Sequence, residues 1–219
     1  MNPARAFSAY VSANAHTLLQ ATSVHVWLSA VALAVACAVS IPLGIWTARN
    51  PRGAGVIGVM NALRSVPSLA VLALMLPVLG IGPRAALVAL TLLAIPPVLI
   101  NTDVGYRTVD PAAVEAAVGM GMLPGQVLRR VQTPLAAPVI ITGVRIAAVE
   151  VIASATLAAF IGGGGLGDLI IGGLQTEDTG ELLAGAVCVA LLALIAEAVL
   201  SIIQRLAAPP TLSAAAQPA

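Results

Sequence analysis

The chain contains no lysine, and charge of either sign is scarce. Ten arginines and nine acidic residues leave charged side chains at 9% of 219 positions. A soluble domain carries about 25%, and a surface facing water cannot be built from so few. Hydrophobic residues fill 59% of the chain, the composition of an integral membrane protein. Aromatic residues are also rare, six in all and scattered, so no cluster of rings is available to cage a ligand. The two cysteines, Cys37 and Cys188, each lie inside an apolar run, where cysteine packs as a small residue rather than forming a disulfide or a metal site. His16 and His25 have no cysteine or carboxylate neighbours in sequence. A metal site needs several ligands, so none is expected. The phosphate loop G-x-x-x-x-G-K-[ST] is missing too, and with it any expectation of a nucleotide or other cofactor in this chain or of catalysis by it. Nucleic acid is not expected among its partners.

What the sequence has instead is long apolar runs. A spanning helix takes about 20 mostly apolar residues, with a range of about 17–25. Five segments qualify: Val24 to Trp46, about Val66 to Ile81 (longer if it extends backwards through VIGVMNAL), Ala85 to Thr102, about Pro138 to Phe160, and Leu182 to Leu206. The first is too long for the apolar region of a signal peptide, about 7–15 residues. The expected fold is therefore all-α, a polytopic membrane protein of about five transmembrane helices. Arginine in the connections sets its orientation. The side holding the N-terminus has Arg5, Arg84 and an acidic connection with Asp168, Glu177, Asp178 and Glu181. The other side has Arg49, Arg52, Arg64, Arg107, Arg129, Arg130 and Arg205. That bias places the N-terminus outside and the C-terminus in the cytoplasm. The last stretch, AAPPTLSAAAQPA at 207–219, has no periodicity and is expected to be a disordered tail.

The segment from Asp103 to Thr133 reads DVGYRTVDPAAVEAAVGMGMLPGQVLRRVQT, too long for a simple connector. Asp110 is a good N-cap, with Pro111 at the first helical position. Ala112, Ala113, Ala116 and Ala117 favour helix. Gly119 and Gly121 weaken it and then end it. A second short helix, PGQVLRRV, is expected to start at Pro124 and to stop before Pro134. The result is a helix–turn–helix at the cytoplasmic face, resting on lipid headgroups or serving a partner.

The residues in it carry a resemblance. Glu115-Ala116-Ala117, three residues, Gly121, nine residues and Val131-x-Thr133-Pro134 resemble the EAA loop of ABC-importer permeases, whose pattern is E-A-A, three residues, G, nine residues, I-x-L-P. Val131 departs conservatively, and Thr133 stands where the family has leucine. ATLAAFIGGGGLGDLI and RSVPSLAVLALMLPVLGIG look like the branch for osmoprotectants: glycine betaine, choline, carnitine or proline betaine. Methionine-importer permeases have a similar glycine-rich stretch, and an amino-acid importer is the alternative within the family. In another class, a stand-alone secondary transporter or channel would have no use for a docking hairpin. The resemblance implies one transmembrane permease domain over 1–206 in a prokaryotic cytoplasmic membrane, with 103–133 as its coupling loop. It implies a separate cytoplasmic ATPase dimer that binds the ATP, an extracytoplasmic substrate-binding protein, and a second permease, identical or related. Glu115, Ala116, Ala117 and Gly121 would dock on the ATPase. Arg129 and Arg130 would pair with the ATPase or with lipid phosphate, or simply follow the positive-inside rule.

Three further groups mark the spans. Pro42, Pro67, Pro77, Pro96 and Pro97 free backbone carbonyls, either lining a path or kinking a packed helix. Arg145 and Glu197 lie at similar depths in the fourth and fifth spans, where an ion pair would keep both off lipid. Glu150 is about 140° around the helix from Arg145 and lacks an intrahelical partner. Such a carboxylate belongs to a pathway or an interface. In FIGGGGLGDLIIGGL, Gly162, Gly164 and Gly167 satisfy G-x-G-x-x-G. A spanning helix rather than a strand precedes them, so the match is accidental. Gly162, Gly163, Gly164, Gly165 and Gly167 instead form an extracytoplasmic turn, which either hinges an outer gate or permits close packing.

Overall fold

In lipid, a long apolar segment can satisfy its backbone only by coiling into a helix or closing into a barrel. The computed structural model describes residues 2–207, and these form ten α-helices with no strand among the described residues. Four helices are long and apolar enough to cross a membrane: α2 (Ala15–Arg49), α5 (Pro83–Arg107), α8 (Thr133–Leu157) and α10 (Thr179–Ala207). α3 (Gly53–Leu63) and α4 (Ser68–Leu79) are together long and apolar enough for a fifth crossing, but the pair is bent by 97°. α1 (Pro3–Ala13) and α9 (Leu166–Gln175) are shorter, and α6 (Pro111–Gly119) and α7 (Pro124–Val127) form a hairpin between α5 and α8. The bundle has a hairpin end, where α8 begins, and a glycine end, where Gly162 to Gly165 follow α8.

α5 is the centre. It lies between α2 and α8, and their shared core is built of Leu28, Ala32 and Ala36, of Leu90, Ala94 and Val98, and of Ala147, Val151 and Ala155. Small residues set the spacing. A Cβ on Gly44 of α2 would lie 2.6 Å from Thr102 Cβ, and one on Gly143 of α8 would lie 2.5 Å from Asn101 Cβ and 2.7 Å from the Pro97 carbonyl oxygen. Their missing side chains are what let the backbones approach. α4 covers the glycine end of α5, with Leu72 against Ala85, Ala86 and Ala89. α1, the start of α2, α9 and the start of α10 make a separate layer at that end around Leu18, Leu166, Leu169 and Ala184.

Several elements differ from the sequence reading. The first span starts at Ala15 rather than Val24, and α1 and α9 are helices that composition did not announce. α9 carries Gly167, Gly172 and Gly173 among its ten residues, which lowers its helix propensity. Those glycines admit neighbours instead: a Cβ on Gly167 would meet the Thr156 carbonyl oxygen at 2.3 Å, and one on Gly173 the Leu182 nitrogen at 2.4 Å. The second span is a broken one. Pro67 lacks an N–H and biases Val66 away from helix, so α3 ends at Leu63. Arg64, assigned above to a cytoplasmic connection, sits in the turn between α3 and α4. α5 also runs on to Arg107, shortening the connection expected from Asp103.

Pro134 does not stop the second hairpin helix. A π-turn at Leu128–Gln132 joins α7 directly to α8, and the helical path runs from Pro124 to Ile161. In the π-turn the Thr133 N–H reaches back five residues to the Leu128 carbonyl. The wider turn gives the proline ring room that an α-helical turn would deny it. The tail expected from 207 lies, apart from Ala207, outside the described residues.

The close contact of α5 and α8 is testable. Gly143→Val overpacks it and should cost about 1–3 kcal/mol, read as a lower thermal-aggregation midpoint of the detergent-solubilised protein. Gly55→Val, which meets nothing within 4 Å, should stay within about 0.5 kcal/mol. Equal effects of the two changes would refute the packing argument.

Candidate functional site

Three groups of residues carry the chemistry, beginning with the hairpin. The Asp110 carboxylate accepts the Ala112 N–H at 2.9 Å and caps α6. At the other end, the Gly121 N–H donates to the Val118 carbonyl at 2.9 Å and the Met122 N–H to the Ala117 carbonyl at 3.1 Å. This pair of bonds is a Schellman motif, which requires a left-handed residue at Gly121, and φ there is +80°. Ala117 is buried, whereas Glu115, Ala116 and Gly121 are exposed. Val118, Met120 and Leu123 stand out beside them at 58%, 76% and 66% exposure. Three large apolar side chains on one small hairpin form a surface suited to a partner. Sequence reasoning passed over these three, because the E-A-A spacing does not include them.

The hairpin is fixed to the bundle by polar bonds. The Thr133 hydroxyl donates to the Leu128 carbonyl at 2.8 Å, so the Tyr106 hydroxyl must donate to Thr133 Oγ1, 2.7 Å away. Thr133 thus braces the π-turn against α5. Beside it, Arg107 donates from Nε to Asp103 Oδ2 at 2.7 Å and from Nη2 to the Thr47 carbonyl at 2.8 Å, linking α5 to the end of α2. Arg129 and Arg130 are exposed on the π-turn.

The second group lies inside the spans. Arg145 Nη2 is paired with Glu197 Oε1, and Arg145 Nη1 with Gln204 Oε1. Gln204 also donates from Nε2 to Thr142 Oγ1 at 2.7 Å and to the Pro138 carbonyl at 2.9 Å. One cluster therefore ties α8 to α10, and Gln204 is a member that charge counting could not find. Glu150 is different: among the described residues it has no ion-pair partner. It faces a cavity of about 210 Å³ whose lining includes Arg64, Val71, Met75, Leu93 and Pro96. A carboxylate and a guanidinium thus stand on the wall of one otherwise apolar chamber, at the break in the second span that Pro67 caps. Pro97 is buried and turned instead toward Gly143. Arg64, read from the sequence as part of a connection, lies in the turn between α3 and α4 and on the wall of this cavity.

The third group is the glycine turn. A Cβ on Gly163 would meet Ala158 and Ala86, one on Gly165 would lie 3.3 Å from the His25 backbone, and one on Gly167 would meet the Thr156 carbonyl. Gly162 abuts Ile81, and the Gly82 N–H donates to the Ile161 carbonyl at 2.8 Å. A Cβ on Gly164 would make only ordinary contacts, with Val24 at 3.5 Å and Asp168 Oδ2 at 3.8 Å, but φ there is +78°, so backbone conformation rather than close packing calls for glycine. It borders a cleft of about 260 Å³ with Thr17, Gln20 and Asp168. Burial pushes the Asp168 carboxyl above the usual carboxylate range. His25 is fully buried beneath the turn, and its Nε2–H donates to the Ile152 carbonyl at 3.0 Å.

Known proteins share this arrangement. Residues 40–211 match the family described as binding-protein-dependent transport system inner membrane component. The chain is 41% identical to the choline transport system permease protein OpuBB of Bacillus subtilis, covering 91% of this chain and 93% of that one. It is 45% identical to the carnitine transport permease protein OpuCB of Listeria monocytogenes, covering 84% and 85%. Among solved structures, an inward-facing form of the MetNI methionine ABC transporter superposes with a TM-score of 0.76 at 22% identity, over 88% of this chain and 96% of that one. This last likeness concerns the fold. The match over most of the chain, the helical bundle and the hairpin between α5 and α8 lead to one conclusion: the protein belongs to the family of inner-membrane components of binding-protein-dependent transport systems.

Proposed function

We propose that this chain is the membrane-spanning permease of an ABC importer for osmoprotectants, passing glycine betaine, choline, carnitine or proline betaine across the cytoplasmic membrane. The observation that carries the substrate class is the 41% and 45% identity to permeases named for choline and carnitine. The chain neither binds nor hydrolyses ATP; a separate cytoplasmic ATPase dimer does both. An extracytoplasmic binding protein supplies the substrate at the glycine end. A second permease, identical or related, completes the path. The N-terminus is outside and the C-terminus cytoplasmic. Arginine placement supports this orientation, with Arg49, Arg52, Arg107, Arg129 and Arg130 all in hairpin-end connections or at their borders.

In this reading α6 docks on the ATPase through Glu115, Ala116, Val118 and Met120, with Arg130 beside them. Because α7 continues through the π-turn into α8, a displacement of the hairpin reaches Arg145 and Glu150 along one helix. Glycine betaine and carnitine carry a quaternary ammonium and a carboxylate. Glu150 and Arg64 offer the opposite charges on one cavity wall, and these substrates are complementary to that pair. The glycine turn, where Gly164 is set by its positive φ rather than by a tight contact, is the mobile element of an outer gate.

Uptake of labelled glycine betaine, choline, carnitine and methionine by a deletion strain carrying this gene tests the assignment. Uptake of methionine alone would refute it. Glu150→Gln should raise KM for glycine betaine by about tenfold, the effect of roughly 1.4 kcal/mol, with the complex still assembled. Unchanged kinetics would remove Glu150 from the pathway. Gly121→Val puts a β-branched residue at positive φ, a cost of about 1–2 kcal/mol, and should lower transport per ATP hydrolysed. Gly121→Asn, which tolerates that conformation, should restore much of it. Full coupling in Gly121→Val would show that the turn is not needed.

A further inference from the structure

Arg129 and Arg130 are neighbours in sequence, but the π-turn points them differently. Arg129 stands at the rim of a cleft of about 560 Å³ at the hairpin end, walled by Ile41 and Ile45 of α2, Tyr106 of α5, and Ala137, Ile140 and Ile141 of α8. Arg130 does not line it. Farther along the bundle α2 and α8 share a tight core of Ala32, Ala36, Ala147 and Val151; at the hairpin end a gap opens between them. The polar atoms in the gap, Tyr106 Oη and Thr133 Oγ1, are already bonded to each other and onward to the Leu128 carbonyl. The interior is otherwise aliphatic.

Charge stands only at the rim. Arg49 lies one helical turn beyond Ile45, on the stripe of α2 that begins at Ile41. Arg49 and Arg129 are both exposed, and among the described residues neither is in an ion pair. The walls belong to three spanning helices, so the aliphatic part lies at the depth of acyl chains and the guanidiniums at the depth of headgroups. A free anion would leave the aliphatic walls unfilled. A segment of a soluble partner would have to enter the span to reach Ile141. An amphiphile with an acyl chain and an anionic phosphate fills both parts.

We propose that this cleft binds an anionic phospholipid, with one acyl chain between α2 and α8 and its phosphate held by Arg129. The lipid seals the gap at the point where the hairpin joins α8. This goes beyond transport itself and separates the two arginines: Arg129 serves the membrane, and Arg130 is left for the ATPase.

Trp46, exposed on α2 beside Ile45, is a built-in reporter. The full-length chain with Trp27→Phe would be placed in phosphatidylcholine vesicles containing acyl-brominated phosphatidylglycerol or acyl-brominated phosphatidylcholine, and Trp46 quenching measured. Phosphatidylglycerol should be preferred about fivefold, as expected for one arginine near an anionic headgroup. Arg129→Gln should bring the preference close to unity, and Arg130→Gln should leave it unchanged. Ala137→Phe, which fills the cleft with Arg129 intact, should also abolish it. Absence of a preference in the parent chain would overturn the proposal. Equal losses in Arg129→Gln and Arg130→Gln would overturn it too, since the attraction would then belong to surface charge in general. So would a preference that survives Ala137→Phe.

Discussion

Lipid tails are as apolar as leucine, so helices in a membrane gain little from hiding apolar surface from one another. What holds this bundle is shape. α5 sits between α2 and α8 at a separation that Ala32, Ala36, Ala94, Ala147 and Ala155 set in the core, and that Gly44 and Gly143 set where backbones touch. The chamber that Glu150 faces depends on that contact. Glu150 is on α8, Pro96 on α5, and Arg64 on the break that α4 presses against α5. If α5 and α8 moved apart, the chamber between Arg64 and Glu150 would lose its walls.

The intramembrane charges divide into two kinds. Arg145 spends its charge on Glu197 and Gln204, and Gln204 in turn engages Thr142 and the Pro138 carbonyl. That cluster fastens α10, whose outward face is otherwise unpartnered, to α8. Glu150 and Arg64 have no such closed set of partners. Removing a charge from water is costly unless it is matched, and an unmatched pair on a cavity wall leaves room for a charged visitor. The same distinction holds at the hairpin end. There Asp103 and Arg107 bind one another and the Thr47 carbonyl, while Arg49 and Arg129 face outward without a carboxylate.

The spans were legible because apolar length alone forces helix in lipid, and Ala85–Thr102 and Leu182–Leu206 fall within α5 and α10. The misreadings have local causes. The second span was expected to begin near Val66, because the sequence does not show that α3, before the turn at Arg64, pairs with α4 as one bent apolar unit. Pro134 read as a stop, because the π-turn that accommodates it has no compositional mark. Thr133 read as a real departure from a motif, with no role of its own, yet its hydroxyl joins Tyr106 to the Leu128 carbonyl. α9 was hidden by its own glycines, which suit it to neighbours rather than to helix. Arg145 and Glu197 could be matched in advance by depth, since two charges in adjacent spans have few alternatives; Gln204, being neutral, offered no such signal.

By itself the sequence determined the membrane class, the helical fold and the hairpin with its E-A-A spacing, because these follow from composition and from patterns local along the chain. It also marked the residues that are expensive in lipid: Arg145, Glu150 and Glu197. Which of them close on a partner was decided only in three dimensions. So was the different outlook of Arg129 and Arg130, and so was the split between the tightly packed glycines and Gly164, whose positive φ rather than a tight contact calls for glycine. Each of these depends on what a second or third helix places within a few ångströms, and helix packing through small residues leaves no periodic trace from which that neighbour could be read.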